Sequence, residues 1–185
     1  MSATTTHPNG IDTAALRETM TAIKADPRKG IARFGAKTVW KNGFLSESTI
    51  DGWSLGGERL PKQFTIQIDE PRELLGKDSS PNPQEFLMAA MNSCMLNTFV
   101  AVCSMLDVTL ESLEFESEGE LDLRGFLGLD SSVPAGYEQI HYTIRVKGNG
   151  TREQYEKAHQ AMIATSPNYY NINKAIQLES DLIVE

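Results

Sequence analysis

No charged residue interrupts the chain from Phe86 to Leu106 (FLMAAMNSCMLNTFVAVCSML), and this run constrains the fold more than any other feature. It is preceded by Asn82-Pro83-Gln84-Glu85, an explicit helix start. Asn82 is the N-cap, Pro83 takes the first helical position, and Glu85 stands where a carboxylate reaches back to the cap. The helix should run from Pro83 to about Leu106, about 36 Å at 1.5 Å per residue. Apolar or small residues occupy nearly all of its circumference. It must therefore be enclosed on most sides, by a large sheet or by a second subunit, because a surface helix needs only one apolar stripe. By length alone it is also long enough to cross a bilayer. Asn92, Ser93, Asn97, Thr98 and Ser104 would then lie in lipid, and no Lys/Arg asymmetry flanks the run, so the expectation is a buried helix with no membrane partner. Met1 to Gly10 lacks the basic start and apolar centre of a secretory signal, which makes the cytoplasm the expected location.

The other elements are shorter. Residues 1–30 read as an N-terminal extension in which Ile11, Leu16, Met20 and Ile23 mark a short amphipathic helix after an Asp12 cap. Ala32 to Trp40 alternates as a strand, Asn42-Gly43 offers the two positive-φ residues of a tight hairpin, and Phe44 to Ile50 returns. Phe64, Ile66 and Ile68 alternate again, completing an antiparallel meander. Beyond the long helix, Leu113 to Leu123 reads as a strand with Glu114, Glu116, Glu118, Glu120 and Asp122 on its wet face. Gly125 to Gly136 reads as a loop, and Ile140 to Val146 as a partner strand. Thr151 with Gln154 starts a helix that Ser166-Pro167 stops. Leu178 to Val184 is expected to close the sheet as a last strand. Segregated strands and helices of this order give an α+β fold, with residues 31–185 as one domain.

Charge excludes whole classes of partner. Asp plus Glu number 25 against 17 Lys plus Arg, for a net charge of -8, so no basic surface is available to displace counterions from a phosphate backbone, and nucleic acid is not an expected partner. No phosphate loop, GxGxxG, HExxH or GxSxG motif occurs, and no cofactor is expected. The carboxylate row reads as a solvated strand face. His7, His141 and His159 stand apart without Cys or acidic partners at ligand spacing, so no metal site is expected. Met88, Met91 and Met95, at helical spacing, read as adaptable core packing that can also line an apolar cavity. Tyr169, Tyr170 and Asn171 either cover such a cavity or pack, and packing is the favoured reading.

The two cysteines, Cys94 and Cys103, are nine residues apart on the helix. Nine steps of 100° turn them to opposite faces with about 13.5 Å of rise between them. A disulfide needs α-carbons within about 7 Å, so none joins them. On residue statistics both are small buried hydrophobes.

The segment Ser80-Pro81-Asn82-Pro83-Gln84-Glu85-Phe86-Leu87-Met88-Ala89-Ala90-Met91-Asn92-Ser93-Cys94 resembles the helix start and reactive-cysteine segment of the OsmC/Ohr family of thiol-dependent peroxidases, which act on organic hydroperoxides. The resemblance implies an intertwined homodimer with long central helices packed back to back and reactive cysteines at the subunit interface. It gives Cys94 the role of the peroxide-attacking thiol and leaves Cys103 in the core. Three positions depart from the family. Its second, disulfide-forming cysteine corresponds to Ser166, before Pro167. Its glutamate after the helix-starting proline corresponds to Gln84, with Glu85 matching a second acid that some members carry. Its hairpin arginine corresponds to Lys41. The resemblance thus implies a single-cysteine peroxidase recycled by an external thiol. The alternative is a dimeric binding or scaffold protein on the same fold that has lost the activity and retains Cys94 for packing or for capture of an apolar ligand.

Overall fold

Asn82 and Glu85 exchange hydrogen bonds: the Asn82 amide donates to Glu85 Oε2 at 2.7 Å, and the Glu85 amide donates to Asn82 Oδ1 at 2.8 Å. From this capping box the long helix runs over Pro83–Met105. It is the second of five α-helices among the described residues and is called α2. The computed structural model describes residues 7–184; residues 1–6, part of the Met1 to Gly10 segment that lacks the marks of a secretory signal, lie outside the described residues. The first helix, α1, spans Thr13–Ala25, and the Asp12 side chain accepts from the Ala15 amide as its cap.

By their contacts the residues fall into two units, one of Asp12–Leu87 and one of His7–Ile11 with the residues from Met88 onward. The first unit carries an antiparallel sheet of β1 Ala32–Phe34, β2 Lys37–Asn42, β3 Leu45–Leu55 and β4 Glu58–Ile68. All three other strands pair with β3. The meander is as expected except that its first strand is broken at Gly35-Ala36 into β1 and β2. Strands β3 and β4 are longer than the apolar alternation indicated, because half-buried polar residues in β3 and exposed ones in β4 conceal the period. The hairpin also differs by one position. Only Gly43 has positive φ, at 58°, and Asn42 pairs with Leu45, so the turn is made by Gly43-Phe44.

The second unit pairs β5 Leu110–Gly119 with β6 Ile140–Gly148. Glu114, Glu116 and Glu118 are exposed while Leu113, Phe115 and Ser117 are half-buried, which is the expected wet and dry face. The strand stops short of Leu123, since a one-turn helix, α3 Leu123–Phe126, begins after Asp122, whose side chain accepts from the Arg124 amide. Next, α4 Arg152–Thr165 starts at a capping box of Thr151 and Gln154. Two buried clusters hold α2 to this unit: Phe99, Cys103, Val108 and Ala158 in one, Met91, Met95 and Met162 in the other. Met91, Met95, Phe99 and Cys103 form a single stripe along α2.

Beyond α4 the structure adds one element and lacks another that was expected. The Asn/Tyr-rich stretch after Pro167 is a helix, α5 Pro167–Asn173, since proline is well placed at a first helical position. Residues 175–184 have no regular structure, so the expected last strand is absent. A strand needs an edge to bond to, and this segment pairs with none in either sheet. Its Leu178 and Leu182 are 88% and 91% exposed.

Candidate functional site

The sequence directs attention to the middle of α2, where Cys94 is half-buried. Ser166 is the group against its sulfur: the hydroxyl, on a residue only 1% exposed, donates to Cys94 Sγ at 3.5 Å. Local chemistry fixes it there. Pro167 prevents α4 from continuing, and Ser166 turns to extended backbone at φ -72°, ψ 119°. Its amide still donates to Met162 O at 2.9 Å, its carbonyl accepts from the Tyr170 amide at 3.0 Å, and Asn168 Nδ2 donates to Ala90 O at 2.9 Å. The last contact ties α5 to α2 one turn before Cys94.

Cys103 lies in a different environment. It is fully buried beside Phe99, Val108 and Ala158, and burial pushes its thiol up to about 11. Both cysteines are free.

The remaining candidates are occupied elsewhere. Lys41, exposed on β2, pairs its ammonium with Glu47 Oε1 at 2.9 Å. Glu85 is engaged in the capping box. Gln84 is exposed at the second position of α2. Gln84 and Glu85 precede Cys94 along the helix by about 15 and 13.5 Å of rise, so within one chain neither reaches its sulfur. The structure thus brings Cys94 and Ser166 together, while Lys41 is engaged by Glu47 and Glu85 by the helix cap.

Three features were not singled out in the sequence. Asp69, 1% exposed, accepts from the amides of Glu70, Lys77 and Ser79 and from the Ser79 hydroxyl. These bonds, the Ser79 hydroxyl foremost, hold its carboxyl below the usual range, and they fold the loop leading into α2. Adjacent Glu70 is held above the usual range, by burial first and then by the charges of Asp69 and Glu85. Gly76 belongs to the same loop, where an added Cβ would collide with the Glu70 backbone. The second feature is Asn9, whose side chain donates to Ser104 Oγ and Val108 O and accepts from the Leu110 amide. The third is a groove of about 860 Å³ in the second unit, lined by Phe99, Tyr142, Ile144, Tyr155 and His159 among others. Tyr142 Oη and His159 Nε2 are 3.2 Å apart there, and burial raises the Tyr142 phenol. Asp69 alone left a readable trace, an acid directly after the last strand residue at the opening of a Ser- and Gly-containing loop before the helix cap. Among the described residues no group of three His, Cys, Asp or Glu is placed to hold a metal ion.

A model of the family described as OsmC-like protein matches residues 76–181, more than half of the chain and all of the Cys94 and Ser166 region. Among solved structures, an OsmC-like protein from Mycoplasma pneumoniae is similar with a TM-score of 0.59 at 13% identity, over 77% of this chain and 89% of that one. A putative osmotic stress induced and detoxification response protein from Psychrobacter arcticus gives 0.55 at 14% identity, over 72% and 84%. An OsmC-like protein of unknown function from Vibrio cholerae gives 0.54 at 16%, over 75% and 92%. At these identities the likeness is one of fold. No curated protein matches the sequence.

Proposed function

The chain belongs to the OsmC-like protein family, and from that premise we propose that it is a thiol-dependent peroxidase in which Cys94 reduces organic hydroperoxides and an external thiol restores it. Family membership supports a redox or stress-response role of the general OsmC kind. The observation that carries the finer reading is the contrast between the two thiols on α2. Cys94 is half-exposed and has a hydroxyl against its sulfur, whereas Cys103 is sealed and held protonated.

In the proposed reaction the Cys94 thiolate attacks the terminal oxygen of the hydroperoxide. An S–O bond forms, the O–O bond breaks, and the leaving alkoxide takes a proton to become the alcohol. Sulfur is oxidised by two electrons to a sulfenic acid. A first external thiol displaces water from that sulfur and forms a mixed disulfide. A second attacks the disulfide, releasing the external disulfide and the Cys94 thiol. Cys103 has no part in this cycle. The proposal includes a homodimer and a cytoplasmic location, where thiol reductants are abundant.

A second reading is favoured by the positions of Lys41 and Glu85, which are engaged with Glu47 and the helix cap. With no cation supplied to Cys94, the protein would be a non-catalytic dimer that binds an apolar ligand, for which the groove over Phe99 offers space. Consumption of an alkyl hydroperoxide with dithiothreitol as reductant separates the two. The peroxidase reading expects turnover that Cys94→Ser abolishes and Cys103→Ala retains. Absence of turnover in the wild-type protein leaves the binding reading.

A further inference from the structure

We infer that Ser166 is a positioning residue for Cys94: its buried hydroxyl donates to the sulfur and enriches the reactive thiolate. The inference deepens the peroxidase reading, on which only its catalytic consequence rests. Geometry provides the first ground. Ser166 is pinned on both sides by its amide bond to Met162 and its carbonyl bond from Tyr170, and with the residue 1% exposed water cannot readily substitute for the sulfur as acceptor. A hydroxyl so fixed is spent on Cys94 Sγ, 3.5 Å away.

Charge provides the second. A hydrogen bond to an ionised acceptor is about twice as strong as one to a neutral acceptor. The hydroxyl therefore favours the thiolate over the thiol. Unlike a cysteine at the same place, a serine cannot form a disulfide. The sulfenic acid on Cys94 consequently persists until an external thiol arrives, and each turnover consumes two external thiols.

Iodoacetamide alkylation of Cys94 across pH reads the thiolate without any peroxide chemistry. The thiolate carbon–sulfur bond forms as iodide leaves, so the rate follows thiolate fraction times nucleophilicity. Loss of the hydroxyl in Ser166→Ala should move the profile up by about one pH unit, giving about tenfold less thiolate at pH 7. Nucleophilicity rises with basicity with a slope of about 0.4 to 0.5. The net expectation is alkylation about threefold slower at pH 7 and about threefold faster at pH 10, so that the two profiles cross. A change in packing alone would not cross them.

Ser166→Thr should keep the wild-type order and Ser166→Val should not. These two share a branched shape and differ in the hydroxyl, so they give the same comparison if Ser166→Ala fails to fold. Superimposed profiles, or a shift by one factor at every pH, would overturn the inference. The peroxidase reading stands or falls separately: turnover with superimposed profiles retains it, while crossing profiles without turnover remove it and leave the Ser166 role intact.

Discussion

Burial pushes the Cys103 thiol up to about 11 from an ordinary value of 9.0, and that direction sets the sign of its effect on stability. Between those values the folded protein holds a proton that the unfolded chain has released, so raising the pH favours unfolding. The contribution is complete below pH 9 and is lost as pH rises toward 11, a swing of about 3 kcal/mol at most. Denaturant unfolding at intervals from pH 8 to 11 should show this decline, and Cys103→Ala should flatten it while lowering stability throughout by opening a cavity. An unchanged slope in Cys103→Ala would show that the thiol ionises without penalty. Ser166 carries a second prediction at this scale. The hydroxyl already lies 3.5 Å from Cys94 Sγ, so Ser166→Cys should form a disulfide with Cys94 on peroxide treatment, although the two are 72 residues apart in sequence. Mass spectrometry after limited peroxide should find this bridge and, in the wild-type protein, no Cys94–Cys103 bridge.

The two ends of α2 are secured by different kinds of information. At its N-terminus the Asn82–Glu85 box is local and was legible in four consecutive residues. At its C-terminus the last carbonyls are met locally, those of Val102 and Cys103 by the Leu106 amide, Cys103 also by the Val108 amide, and Ser104 by the Asp107 amide. Asn9 ties down the segment that follows, with Ser104 Oγ, the Val108 carbonyl and the Leu110 amide as partners across separations of 95 to 101 residues, and no local pattern could reveal that second tie. Asn9→Gly tests the contribution. Asn9 has φ 55°, which glycine adopts freely, so the substitution removes only the side chain and leaves the Leu110 amide and Val108 carbonyl unpaired. The expected loss is about 1–3 kcal/mol, read as a lower denaturant midpoint; an unchanged midpoint would show that water replaces the amide. The same division explains what else was readable. Helices with caps, the meander and the alternation of β5 follow from neighbours in sequence. The segment after Asn173 does not, because its alternation promises a strand while the partner edge lies outside local sequence. At the site, the resemblance marked Cys94 and Ser166, and only the turn at Pro167 and the Asn168–Ala90 bond show how they are brought into contact.

Apolar surface left uncovered by one chain argues for a second copy. On α2 the buried residues are Met91, Met95, Phe99, Cys103 and Ser104, one stripe of a helix that is apolar or small nearly all round, while Leu87, Ala89 and Ala90 remain exposed. In the sheet of β1 to β4, Ser48 and Gly52 are the buried residues, and Phe34, Trp40 and Phe64 are 75%, 71% and 59% exposed. Large apolar side chains exposed together on one sheet mark an interface. Helix geometry adds a functional reason. Gln84 and Glu85 stand about 15 and 13.5 Å along the axis from Cys94 of their own chain, so a carboxylate or amide from that helix start can attend a reactive thiol only across a subunit boundary. The prediction is an obligate homodimer whose apolar interface exceeds about 2,000 Å² in total. Sedimentation equilibrium should give twice the 20.5 kDa chain mass at micromolar concentration, and the melting temperature should rise with protein concentration, since dissociation and unfolding are then one process. A folded monomer at micromolar concentration, with a melting temperature independent of dilution, would show that one chain covers its own apolar surface in solution and would remove the dimer from the peroxidase proposal.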